Sequence, residues 1–165
     1  MGDLGQELER AAFELVETAK DAGVQLATAE SLTGGMLGQL ICTVAGASAV
    51  YKGGVISYAS SVKAQVLGVS AELLEARGAV DPEVAQQMAA GAARVCGADI
   101  GIATTGAAGP EPWDSKPVGR VYLGVSSGGQ VYSVQKDYTG DRTAIRQQAA
   151  LDALYLAIQR IQTAR

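Results

Sequence analysis

The chain contains no histidine. That single absence removes every imidazole general base, every histidine-oriented serine triad and every histidine metal site, so any acid–base chemistry must run through other groups. Cysteine is nearly as scarce. Cys42 and Cys96 are far apart, and each sits in an apolar helical stretch, which reads as a buried free thiol rather than half of a disulfide. Charged residues make up 18% of the chain and carry a formal net charge of −4, with no basic cluster, which argues against nucleic acid as a partner. No tract of 18 apolar residues is present, so no membrane partner is expected. The first seven residues lack the basic and apolar regions of a secretory leader, and the expected compartment is the cytoplasm.

What is present is a 165-residue chain that is 48% hydrophobic, enough for one domain spanning residues 1–165 with a sizeable core. Apolar residues recur at helical spacing over 3–22 and stop at Gly23. A short strand follows over 24–29, a turn over 30–35 and an apolar helix over 36–44. A strand is read over 53–58, then small helices over 61–67 and 71–76. Asp81-Pro82-Glu83 supplies a cap, a proline at the first helical position and an acidic first turn for a long helix to residue 95. The nearly all-apolar run 98–105 reads as a central strand covered on both faces. After a Gly-, Ala- and Pro-rich loop over 106–116, residues 118–126 and 130–138 form a hairpin about Ser127-Gly128-Gly129, and 141–161 close the chain as a helix. Alternating helices and strands with one hairpin predict a three-layer α/β/α domain around a mixed, mostly parallel sheet with one antiparallel hairpin.

Without histidine, a serine hydroxyl can still be activated by a neutral lysine whose pKa burial has lowered. Ser31, Ser48, Ser57, Ser60 and Ser61 lie in the first third of the chain with Lys52 and Lys63. The apolar setting of Lys63 makes it the better base, whereas the residues alone do not rank Ser31 against Ser48. Most loop serines only cap or solvate. The turn Glu30-Ser31-Leu32-Thr33-Gly34-Gly35 enters a helix and can present backbone N–H groups to an anion, but it is neither a P-loop nor a dinucleotide fingerprint. Thr105-Gly106 ends the buried strand, where open α/β sheets place ligands. Arg142 and Arg146 stand one turn apart on the last helix, a spacing that suits a phosphate and is equally that of two solvated side chains.

Several stretches, weak singly, occur together in a telling order: Thr28-Ala29-Glu30-Ser31 with Thr33-Gly34-Gly35, Ala45-Gly46-Ala47-Ser48, Gly53 to Tyr58 with Lys63, Gly78-Ala79-Val80, Thr105 to Pro110, Lys116-Pro117-Val118-Gly119 and Gly140-Asp141-Arg142. In this order the chain resembles the CinA C-terminal family, which includes stand-alone nicotinamide-nucleotide amidases. The resemblance implies hydrolysis of nicotinamide mononucleotide to nicotinic acid mononucleotide and ammonia, in pyridine nucleotide salvage, with no cofactor and no metal. It implies a dyad of Ser48 as nucleophile and Lys63 as base, with Tyr58 helping proton transfer or orientation. Ser31, Thr33, Gly34, Gly35, Thr105 and Gly106 would line the substrate pocket, and Arg142 or Arg146 would meet the substrate phosphate. The chain departs from the family at Leu32, where cysteine is common, and at Glu111-Pro112-Trp113-Asp114, where further glycines are common; the second change remodels the pocket rim. The competing readings are a catalytically silent nucleotide-binding or regulatory domain and an amidase for another small carboxamide. The small-molecule nucleotide is the expected partner, and the Ala- and Gly-rich helix near residues 85–93 suits packing in a homo-oligomer.

Overall fold

A computed structural model describes residues 2–164, so the outermost two positions of the expected domain lie outside the described residues. The chain runs α1 (Leu4–Ala22), β1 (Leu26–Glu30), α2 (Met36–Cys42), a 3-10 turn (Ala47–Ala49), β2 (Tyr51–Ile56), α3 (Ser60–Gln65), α4 (Ala71–Arg77), α5 (Pro82–Cys96), β3 (Ile100–Gly106), β4 (Arg120–Ser127), β5 (Gln130–Asp137) and α6 (Arg142–Thr163).

The helix ends follow local chemistry. Asp81 accepts from the N–H groups of Glu83 and Val84 with Pro82 in the first turn, while Gly23 and Gly97, both left-handed, end α1 and α5. Asp141 caps α6 by accepting from Ala144 N–H.

The five strands form one sheet in the order β2-β1-β3-β4-β5. β1 pairs in parallel with β2 and β3, β3 and β4 are antiparallel, and β4–β5 is the hairpin. Only β4 therefore runs against the rest, and the sheet is mixed as the sequence predicts. β1 and β3 are buried along almost their whole length. One face carries the larger core, where Leu15 and Val16 of α1, Leu37 and Ile41 of α2, and Leu154 and Ile158 of α6 pack over Ile102, Leu123 and Val125. The other face packs Val84, Met88 and Ala92 of α5 against Ala27, Ala29 and Ala103. Gly101 and Gly124 lie so close to the backbone of α5 that a Cβ at either would collide with a carbonyl oxygen, which is why the helix seats flat on the sheet. The result is the three-layer arrangement expected.

Two consequences bear on function. The chain leaves β1 for β2 on one side and later returns to β3 on the other, so the carboxyl end of β1 is a topological switch point, the place where open α/β sheets bind ligands. The cysteines depart from expectation. Cys42, the last residue of α2, is exposed, and Cys96, the last residue of α5, is only half-buried at the margin of the smaller core; both are free. Among the described residues no helix is long and apolar enough to cross a membrane.

Candidate active site

The site is built on the carboxyl end of β1. The sheet pairing continues one residue past the strands: Ser31 N–H donates to Thr104 O at 3.0 Å, and Ser57 N–H donates to Glu30 O at 2.8 Å. Ser31 is thereby held between the tails of β2 and β3, 9% exposed. Behind it lies Lys63, which α3 folds back under the end of β2 until it is 1% exposed. Its Nζ donates to Ser57 O at 2.6 Å, to Tyr58 O at 3.1 Å and towards Ser31 Oγ at 2.9 Å. Burial pulls the amine down from its ordinary value to about 8, against a weaker upward pull from the Asp114 carboxylate. When the amine is neutral, its two hydrogens satisfy the two carbonyls and its lone pair is left facing the Ser31 hydroxyl.

Ser31 does not own the turn that follows it. Glu30, 2% exposed, accepts from the Thr33 hydroxyl at 2.7 Å, from Leu37 N–H at 2.8 Å and from Gly38 N–H at 3.0 Å. It takes up the first free donors of α2, which the N-cap Gly35 has no side chain to satisfy. Thr33 in turn shares a 2.8 Å hydroxyl contact with Thr104. From α6, Arg146 reaches across and donates to Leu32 O at 2.7 Å and Thr33 O at 3.0 Å.

In front of Ser31 opens a cavity of about 290 Å³ lined by Ser31, Leu32, Tyr58, the stretch Gly106 to Glu111, Trp113 and Arg142. That is close to the small end of ligand pockets. Arg142 donates to Gly109 O at 2.6 Å and to the Tyr58 hydroxyl at 3.1 Å. Gly34 N–H is spent on Ser31 O, and Ala107 N–H on Arg120 O. Among the described residues, Leu32 and Ala108 N–H have no protein acceptor, and both residues line the cavity. No group of three acidic or thiol side chains gathers into a metal-ligand set among the described residues.

Set against expectation, Ser31, Tyr58, Gly106 and Arg142 meet at the cavity with Lys63 directly behind. Ser48 does not. It lies exposed on the 3-10 turn before β2, while Lys63 is bonded to carbonyls just after it, and a strand of this length holds the two ends roughly 17–20 Å apart. The expected Ser48–Lys63 pairing is therefore replaced by Ser31–Lys63. Thr33, Gly34, Gly35 and Thr105 support rather than line the cavity; the Thr105 hydroxyl is committed to Ala79 O at 2.8 Å. Arg146 serves the Ser31 turn and not the open cavity, because its guanidinium is already occupied by two carbonyls. Sequence reasoning missed Glu30 as the organiser of the turn, although a carboxylate closing an otherwise apolar strand was a visible signal. It did place Glu111 and Trp113 at the pocket rim, and both line the cavity.

The domain is an α/β/α sandwich whose switch point holds a serine hydroxyl 2.9 Å from a buried lysine amine. Residues 8–161 match the model of the CinA C-terminal domain, and the chain belongs to that family. It is 49% identical over 135 residues to a CinA-like protein of Anaeromyxobacter dehalogenans, covering 81% of this chain and 33% of that protein. With a CinA-like protein of Frankia casuarinae it shares 47% over 131 residues, 79% of this chain and 30% of that one. The chain thus spans about a third of the length of these curated relatives. Among solved structures, a CinA superfamily protein of Klebsiella pneumoniae superposes with a TM-score of 0.91 at 33% identity, covering 94% of this chain and 98% of that one. A CinA superfamily protein of Escherichia coli gives 0.91 at 31%, with 97% and 93% covered.

Proposed function

We propose that this chain is an amide hydrolase that deamidates nicotinamide mononucleotide, with Ser31 as nucleophile and Lys63 as its base. The observation that carries the reading is the buried amine at 2.9 Å from a serine hydroxyl at the floor of a small cavity, its other two directions fixed by carbonyls. In the reaction, neutral Lys63 takes the Ser31 proton as Oγ attacks the carboxamide carbon. The tetrahedral oxyanion is met by the free N–H groups of Leu32 and Ala108. Lysine's proton passes to the amide nitrogen, the C–N bond breaks and ammonia leaves. Water then attacks the acyl-serine, giving one proton to Lys63, which returns it to Ser31 as the carboxylic acid departs. Tyr58 contributes in two ways: its carbonyl orients the lysine, and its ring walls the cavity. Arg142, at the mouth, is the group for the substrate phosphate.

The test is ammonia release from nicotinamide mononucleotide by the wild type and by Ser31→Ala, Lys63→Ala and Ser48→Ala. Turnover that survives Ser48→Ala and falls on the order of 10³-fold or more in the other two supports the dyad. A folded wild type that releases no ammonia leaves a silent binding domain or an amidase for another carboxamide, and a panel of small carboxamides separates those two.

A further inference from the structure

The rim of the cavity holds two residues that the proposed reaction does not use, Glu111 and Trp113. Trp113 is 64% exposed, an unusual state for an indole, yet its main chain is not free. Trp113 and Lys116 exchange both backbone hydrogen bonds, at 3.2 and 2.8 Å, across Asp114 and Ser115, whose positive φ values of 50° and 60° are those of a tight type I′ turn. Asp114 then accepts from Ala79 N–H at 2.8 Å, tying the turn to the segment before α5. The ring is thus presented to the cavity from a braced backbone, which reduces the ordering that a ligand must pay for on binding. Tyr58, 63% exposed, lines the same cavity.

We propose that Trp113 and Glu111 make this site selective for a planar, cationic nitrogen heteroaromatic ring, the indole stacking on the ring and the carboxylate balancing its charge. The inference rests on the amidase reading, and it names which part of the substrate is recognised. A ring cation over an indole face gains from the ring quadrupole, and a neutral isostere does not. Glu111 would repel a substrate phosphate, so the anionic end is directed to Arg142, which is tied to Gly109 and Tyr58. The cavity therefore has a carboxylate and a guanidinium on its lining, matched to a substrate with a cationic ring and an anionic tail.

Trp113 is the only tryptophan in the chain, so its fluorescence reports the ring contact without turnover. The experiment titrates Ser31→Ala, which spares the ligand, with nicotinamide mononucleotide and with benzamide mononucleotide, whose ring is uncharged. Saturable quenching by both, at least tenfold tighter for the pyridinium and falling to threefold or less in Glu111→Gln, is the expected result. In the active protein, Trp113→Ala raises KM more than Trp113→Phe while kcat changes little. Ammonia release without quenching, or equal affinity for the two nucleotides, overturns this proposal and leaves the amidase reading standing. Selective quenching in a protein whose wild type releases no ammonia does the reverse.

Discussion

Along the carboxyl edge of the sheet, Glu30, Ser31, Ser57, Lys63 and Thr104 are all buried, whereas at the amino edge Ser48, Cys42 and Asp99 face solvent. The same residue types carry different chemistry because only one edge removes them from water. A buried hydroxyl or amine must find partners, and the partners found here leave one lone pair aimed at one hydroxyl. An exposed serine on a 3-10 turn has water for that purpose.

The largest effect follows from Lys63. With its amine held at about 8, turnover should rise close to tenfold per pH unit up to that value and level off above it, about a hundredfold between pH 6 and 9. Stability moves in the same direction. The folded amine titrates below the usual value near 10.5, so between about pH 8 and 10.5 the unfolded chain binds more protons, and stability rises with pH by on the order of 3 kcal/mol. Below pH 8 the cost of burying the charged amine is present in full. Urea midpoints at pH 8 and 10.5 for the wild type and Lys63→Met isolate the effect, since only the wild type should gain this increment. An identical pH response in the two proteins would mean that the amine is not held down by burial.

Next comes Glu30→Gln. The amide keeps the shape but can accept at only one of its two atoms, so an N–H of Leu37 or Gly38 loses its partner. The cost should be about 1–3 kcal/mol, lowering Tm by roughly 3–10 °C. Turnover should fall as well, because the turn that follows Ser31 loosens. A variant with unchanged Tm would remove Glu30 as organiser of the turn.

The two arginines of α6 divide the comparison more finely. Arg142→Ala should raise KM about tenfold with little change in kcat, because its guanidinium stands at the open cavity. Arg146→Ala should lower kcat by a similar factor with little change in KM, since its two bonds hold the carbonyls next to Ser31. Steady-state kinetics on the two variants decide this, and identical effects on both constants would make the distinction empty.

How much of this was legible in the sequence depends on how local the signal is. Asp81-Pro82-Glu83, Gly23 and Gly97 fix helix ends through bonds within a few residues, so α1 and α5 could be read almost to the residue. Lys63 was legible as a buried amine because its neighbours are apolar. Its serine was not. The residues alone left Ser31 and Ser48 unranked and the family resemblance pointed to Ser48, whereas only the run of β2 reveals that Ser48 and Lys63 sit at opposite ends of one strand. The spacing of Arg142 and Arg146 put both on one side of α6, but that the Arg146 guanidinium is already occupied depended on carbonyls more than a hundred residues distant. Cys42 and Cys96 misled because an apolar helix says nothing about how far its final residue is buried.

The smallest expected effect carries the sharpest test of the contrast. Ser48→Ala should leave kcat and KM within about twofold of the wild type and Tm nearly unchanged, as for most exposed surface substitutions. The hydroxyl has solvent around it, and the turn is held by main-chain bonds, Ala49 N–H to Gly46 O at 3.1 Å and Val50 N–H to Ala47 O at 3.0 Å, which the substitution leaves alone. A large loss of turnover in a stably folded Ser48→Ala could not come from within one chain, given the length of β2 between this serine and Lys63. It would require the amino edge of one molecule to complete the cavity of another, and mixing Ser48→Ala with Lys63→Ala would then restore part of the activity that each variant lacks alone.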